Sequence, residues 1–265
     1  MAGNGSSLPA SQLTPNTTVV FAALQHYKRR LSQYLFQPGF PPMATAERQF
    51  AEARRQMVLT QLRPNKVTDE QVIAAMAALP REQFVPKAYR GVAYMDEDVA
   101  IAPGRYLMEP MILARLLQEA EIQPSEVALV IGAATGYEVA VLARMTSTVI
   151  GLEVDAALSQ QAGQTLQSLG IDNVALVDGA LKDGLPKQGP FNVILVAGAV
   201  PEFSPALLQQ LADGGRLIGV LRAPGAPIGQ TVLIKRAGDL FPQRVLFDAG
   251  TPMLPGFERP AGFVF

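Results

Sequence analysis

The chain holds one histidine, His26, and no cysteine. The groups left to do chemistry are carboxylates, guanidinium groups and hydroxyls, together with backbone that small residues bring close to a ligand. Disulfides, thiolate metal sites and cysteine nucleophiles are removed at once, and a lone histidine is too little for a triad or a metal centre. Two stretches carry what remains. In Val127-Ala-Leu-Val-Ile-Gly-Ala-Ala-Thr-Gly-Tyr-Glu-Val-Ala-Val-Leu-Ala143 an apolar run breaks at Gly132 and resumes with helical spacing, which reads as strand, tight turn, helix. Gly132, Ala133, Ala134 and Gly136 let the backbone approach a ligand where a helix begins, the place of a nucleotide-like cofactor in an open α/β sheet. The next apolar segment, Thr148 to Leu152, ends on Glu153, about 20 residues after the turn, where an acid accepts hydrogen bonds from ribose hydroxyls.

Spacing separates the cofactors. A dinucleotide fingerprint laid over Gly132 needs glycines at Ala134 and Tyr137, and a tyrosine fills the position that allows close helix packing. No G-x-x-x-x-G-K-[ST] follows a strand anywhere in the chain, which excludes a P-loop. S-adenosylmethionine fits best, because it has no pyrophosphate and needs a small-residue turn, an acidic ribose anchor and an adenine slot. An ordinary tight connection between strand and helix is the competing explanation of Gly132 to Gly136. Thr135 and Tyr137 likewise read either as parts of the site or as a helix N-cap and a core aromatic. The second stretch, Gly104-Arg-Tyr-Leu-Met-Glu-Pro110, offers Arg105 and Tyr106 to clamp and stack on a substrate carboxylate, against the alternative of a plain surface loop. Glu109 is either a carboxylate of this loop or an acid in the first turn of a helix, and Met108 reads as packing.

More of the chain then points to one family. Gln61-Leu-Arg, Pro80-Arg-Glu-Gln-Phe-Val-Pro86, Ala93-Tyr-Met-Asp96, Gly136-Tyr-Glu-Val-Ala-Val-Leu-Ala143, Asn173-Val, Pro190-Phe-Asn192 and Gln209-Gln-Leu-Ala-Asp-Gly-Gly215 resemble protein-L-isoaspartate O-methyltransferases, from about Met57 to the C-terminus. The resemblance implies a Rossmann-like class I methyltransferase sheet, S-adenosylmethionine as cofactor, and esterification of isoaspartyl carboxylates in damaged proteins or peptides. It implies cofactor contacts at Gly132, Ala134, Thr135, Gly136 and Glu153, and at Gly179 and Ala180 where the family has Gly-Asp-Gly. The chain departs from the pattern at Val130, Ala134, Ala180 and Asn192, and Met108 stands where the substrate loop of the family carries a serine. Three readings follow: an isoaspartyl methyltransferase, a methyltransferase with another acceptor, and a non-catalytic protein-binding module on the same fold.

Positioning these residues requires alternating elements. The pattern predicts helices over 44–62, 69–79 (N-cap Thr68), 109–121, 137–145, 156–169 and 205–212. It predicts strands over 127–131, 149–153, 174–178, 191–197 and 216–221, then an antiparallel hairpin of 230–236 and 243–248 through Gly238-Asp239. Strands alternating with helices mean a mostly parallel α/β sheet with helices on both faces. The expected organisation is a poorly ordered extension over 1–42, with a short helix from Val19 to Phe36 that sets Val20, Leu24, Tyr27, Leu31 and Leu35 near one face and Lys28-Arg29-Arg30 near the other, and a methyltransferase domain over 43–265 with a helical cap to about residue 100. With 265 residues, 49% hydrophobic, and a net charge of −1, the chain allows a large core and gives no electrostatic argument for nucleic acid. No apolar run reaches the roughly 20 residues of a membrane helix, and residues 1–18 carry no charged n-region. A cytoplasmic monomer is expected.

Overall fold

The computed structural model describes residues 43–257; the 1–42 extension, with its expected helix from Val19 to Phe36, lies outside the described residues. Helix α1 (Met43–Met57) runs on into a π-turn over Val58–Leu62 and a 3-10 turn over Arg63–Asn65. Helix α2 (Glu70–Ala78) is capped by Asp69, whose carboxylate accepts from the N–H groups of Gln71 and Val72, and not by Thr68 as the sequence suggests. The carboxylate reaches two of the orphan donors that any helix start leaves. Thr68 instead gives its own N–H to the Gln118 side chain. Two 3-10 turns, Arg81–Phe84 and Lys87–Val92, lead to a small hairpin of β1 (Val99–Ala102) and β2 (Arg105–Leu107).

Beyond α3 (Pro110–Glu119) the alternation is regular: β3 (Val127–Ile131), α4 (Tyr137–Ala143), β4 (Thr148–Glu153), α5 (Ala156–Ser168), β5 (Val174–Asp178), β6 (Phe191–Val200), the one-turn α6 (Pro205–Leu208), β7 (Leu211–Leu221), β8 (Gly229–Lys235) and β9 (Gln243–Ala249). The seven strands of the main sheet lie in the order β5-β4-β3-β6-β7-β8-β9, parallel as far as β7 and antiparallel from there. Central strands buried on both faces explain the unbroken apolar runs of β3 and β6, and Leu129, Ile131, Leu152, Ile194, Val196 and Leu217 share one core cluster. In α4 every residue from Tyr137 to Leu142 is buried, as expected of a helix apolar nearly all round.

At the N-terminal end of the sheet, Arg216 donates to the carbonyls of Ala120, Glu121 and Asn192 and pairs with Glu126 at 2.5 Å. Asn192 belongs to this end too, since its side-chain oxygen accepts the Val127 N–H at 2.9 Å. That departure from the family pattern is therefore a strand-start contact, made at the end of the sheet away from the glycine turn.

Candidate active site

The order of strands reverses at β3, which feeds β4 and β5 on one side while β6 and β7 lie on the other. In open α/β sheets the crevice at the carboxyl ends of the strands flanking such a point is where ligands bind. The glycine turn opens there. Gly132 (φ 82°) and Gly136 (φ 92°) both take the left-handed conformation that glycine adopts without penalty, and the N–H groups of Gly132 and Ala133 converge on the Leu152 carbonyl at 2.9 and 3.0 Å. Ala134, also left-handed at φ 49°, is turned so that its N–H meets Glu153 Oε2 at 2.7 Å. Turn and acid, paired in the sequence by their spacing, are one hydrogen-bonded unit.

Glu153 is fully buried and has a partner that spacing did not announce. The guanidinium of Arg105, 6% exposed, grips it with Nη1–Oε1 at 2.5 Å and Nη2–Oε2 at 2.6 Å. The N–H groups of Val154 and Asp155 add two bonds to Oε1, each 2.9 Å. Burial pushes the Glu153 carboxyl up, but the Arg105 bond, with the backbone donors, outweighs it and holds the group below its ordinary value. Removing one member of a buried pair costs about 3–5 kcal/mol, so this contact is a substantial part of the site's order.

Arg105 and Tyr106, expected to clamp and stack on a substrate carboxylate, point different ways along their strand. Successive residues of a strand face opposite ways, so Arg105 turns inward to Glu153 while Tyr106 is 40% exposed. Met108 is buried, donates its N–H to Glu138 Oε1 at 3.4 Å, and gives its carbonyl to Arg81 Nη2 at 2.7 Å. Glu109 is the N-cap residue of α3 but makes no side-chain cap; its N–H goes to Asp98 Oδ1 at 2.9 Å. Half-burial, then the charges of Asp96, Asp98 and Glu97, raise the Glu109 carboxyl to about 7. Thr135 is buried but does not cap α4, and its hydroxyl has no hydrogen-bond partner among the described residues. Tyr137 is a core aromatic, edge-on to Phe84 with the Arg81 guanidinium 4.7 Å from its ring centre. On the β5 side Gly179 gives its N–H to the Glu153 carbonyl at 2.8 Å, and exposed Ala180 follows it.

Two contributors went unnoticed in the sequence. Glu138, in the first turn of α4, is 2% exposed, and burial raises its carboxyl above the ordinary range; it lies inside an apolar helix pattern that gave no reason to single it out. Leu254 comes from the segment after β9, tied to the end of β6 by Ala199 N–H to Pro252 O at 2.9 Å and Leu254 N–H to Ala199 O at 2.7 Å. Its side chain lies over the switch point so closely that a Cβ on Gly132 would come 2.9 Å from Leu254 Cδ1, and one on Gly198 2.8 Å from Leu254 Cβ. Arg105, Tyr106, Met108, Thr251 and Leu254 line a small cleft of about 10 Å³, room for about one water molecule.

The family profile described as protein-L-isoaspartate(D-aspartate) O-methyltransferase matches residues 53–234. A protein-L-isoaspartate O-methyltransferase of Koribacter versatilis is 41% identical over 201 residues, covering 75% of this chain and 88% of that protein. One from Herpetosiphon aurantiacus is 38% identical over 71% of this chain and 83% of its own length. Among solved structures, a Plasmodium falciparum protein, named for the same activity and determined with S-adenosyl-L-homocysteine, overlays with a TM-score of 0.67 at 21% identity, covering 77% of this chain and 98% of that one. With a class I methyltransferase sheet around the glycine turn and matches of this extent, the chain belongs to the protein-L-isoaspartate(D-aspartate) O-methyltransferase family.

Proposed function

We propose that this chain is an S-adenosylmethionine-dependent methyltransferase that esterifies isoaspartyl carboxylates in damaged proteins. The observation that carries the proposal is the union of the Gly132–Gly136 turn with the buried acid Glu153 at the switch point, in a chain of this family. The residue types fit the cofactor: a carboxylate at the end of β4, a turn without bulky side chains, and the buried Thr135 hydroxyl without a partner among the described residues. When bound, the cofactor supplies an electrophilic methyl group on a sulfonium centre. Glu153 would hold the ribose, the turn would carry the chain of the cofactor past Gly132, and Gly179 and Ala180 would flank the adenine. A carboxylate acceptor, with an ordinary pKa of about 4, is ionised at neutral pH and needs no general base. The protein's task is then orientation and exclusion of water, worth about 7–11 kcal/mol in near-attack geometry.

A second reading, transfer to a different acceptor, is favoured by the mouth of the cleft. Burial, and then the charges of Asp96, Asp98 and Glu97, raise Glu109; Asp98 lines the cleft, and a second anion arriving beside it meets the same field. Met108 adds that no hydroxyl stands at the family's serine position. A methyl-transfer assay on a synthetic isoaspartyl peptide, with wild type beside Met108→Ser, decides between the two. The repair reading expects ready turnover by the wild type and no gain in Met108→Ser, whereas a loop that has lost a hydrogen bond to a charged group expects slow turnover and a gain of about 10- to 150-fold in Met108→Ser. Methylation of other proteins with none of the isoaspartyl peptide by either form establishes the second reading. A cytoplasmic setting and a monomeric state belong to the same proposal, and sedimentation of the purified chain tests the latter. No helix of the described residues is long and apolar enough to cross a membrane.

A further inference from the structure

The carboxylate proposed as ribose anchor already has its full complement of donors. Oε1 accepts from Arg105 Nη1, Val154 N–H and Asp155 N–H; Oε2 accepts from Arg105 Nη2 and Ala134 N–H. Two carboxylate oxygens offer about four lone-pair sites, so no hydroxyl can be added unless a donor leaves. Three of the five donors are backbone groups fixed by the turn and the strand end. Arg105 alone, on a side chain from the separate β1–β2 hairpin, can leave without unfolding the turn.

We propose that Arg105 is a built-in competitor for the cofactor: with Leu254 it keeps the crevice closed, and the cofactor binds by exchanging its ribose hydroxyls for the Arg105–Glu153 pair. The inference rests on the reading of Glu153 as ribose anchor. Leu254 supports it independently, because its side chain fills the space over Gly132 and Gly198, where the strand order reverses and a ligand would lie. The displaced guanidinium has a destination. Asp98 lines the same cleft as Arg105, Glu97 lies close enough to feel its charge, and Glu109 feels those of Asp96, Glu97 and Asp98. Arg105 thus has two carboxylate stations, one deep on Glu153 and one at the mouth. Apparent affinity for the cofactor is reduced by the fraction of molecules in which the deep station is vacated.

An ion pair that served only to hold the fold would behave differently on removal. It would lower the melting temperature and leave the ligand's affinity unchanged or weaker, whereas a competitor's removal strengthens binding. The test is calorimetric titration of the full chain with S-adenosylhomocysteine, for wild type, Arg105→Gln, Arg105→Lys and Leu254→Ala. The expected result is at least tenfold tighter binding by Arg105→Gln than by wild type, a smaller gain for Arg105→Lys, which keeps the charge but loses the two-pronged grip, and a gain for Leu254→Ala. Equal or weaker binding by Arg105→Gln, with measurable binding by wild type, overturns the competition and leaves the cofactor reading standing. Should Arg105→Gln fail to fold, Arg105→Lys and Leu254→Ala decide it, and no gain in either overturns the proposal. Absence of binding to wild type and all variants at millimolar ligand sinks the cofactor reading itself, and the inference with it.

Discussion

Glu109 carries a charge that the folded protein resists. Its carboxyl is raised from 4.5 to about 7 by burial and by Asp96, Asp98 and Glu97, so between those pH values the folded chain holds more protons than the unfolded one. Stability contributed by the protonated form is present at low pH and lost as pH rises toward 7. Glu109→Gln, neutral at every pH, is therefore expected to melt above wild type at pH 8 and level with it at pH 5. An equal offset at both values would show that the acidic mouth is not the cause. The neighbouring site was only half readable. Glu153 could be chosen from its place at the end of an apolar segment, because a strand end after a glycine turn has one geometry. Its partner Arg105 lies 48 positions away in sequence, on a hairpin of three- and four-residue strands, too short for any period to appear. Periodicity carries no information about which side chain crosses between two such loops.

The connection from β3 to α4 works because its three left-handed positions, 132, 134 and 136, fall on small residues, and one of them is not glycine. Ala134 at φ 49° bears a left-handed strain of about 1–2 kcal/mol, held in place by its bond to Glu153. Ala134→Gly relieves that strain but gives the unfolded chain about 0.4–1 kcal/mol of added freedom. The net expectation is a gain of up to about 1 kcal/mol, or 2–4 °C in Tm for a domain of this size, read by thermal melting; a clear loss would mean that the alanine methyl packs more usefully than the backbone suffers. The strands around it were well read from sequence, since β3 and β5 span 127–131 and 174–178 as expected. The helix expected over 205–212 is a single turn instead. Phe191 N–H bonds the Gln210 carbonyl and Leu211 pairs with Phe191, so strand pairing claims residues whose local preference is helical. Likewise the Gln210 side chain, bound to Leu185 N–H, Asp183 O and Ala206 O, fastens the turn before β7 in a way no propensity encodes.

Alternation of strands and helices announced the sheet, but its order could not be read, since the run of elements is compatible with several arrangements and only side-by-side packing chooses one. The domain boundary remains a proposal: deletion of residues 1–42 is expected to leave the melting temperature within a few degrees, about 1 kcal/mol for a domain above 150 residues, and a larger drop would place Val19 to Phe36 in the core. Across the sheet, two arginines hold carboxylates at opposite ends, and they are built unlike each other. Arg216 spends most of its donors on the carbonyls of Ala120, Glu121 and Asn192, groups that stay where the backbone puts them; it is a rivet. Arg105 meets one side chain with both prongs and no carbonyl; it is a clasp. A rivet at the far end means that opening the clasp need not be felt by the rest of the sheet, so the molecule can undo its most strongly bonded side-chain contact at the crevice and keep its shape.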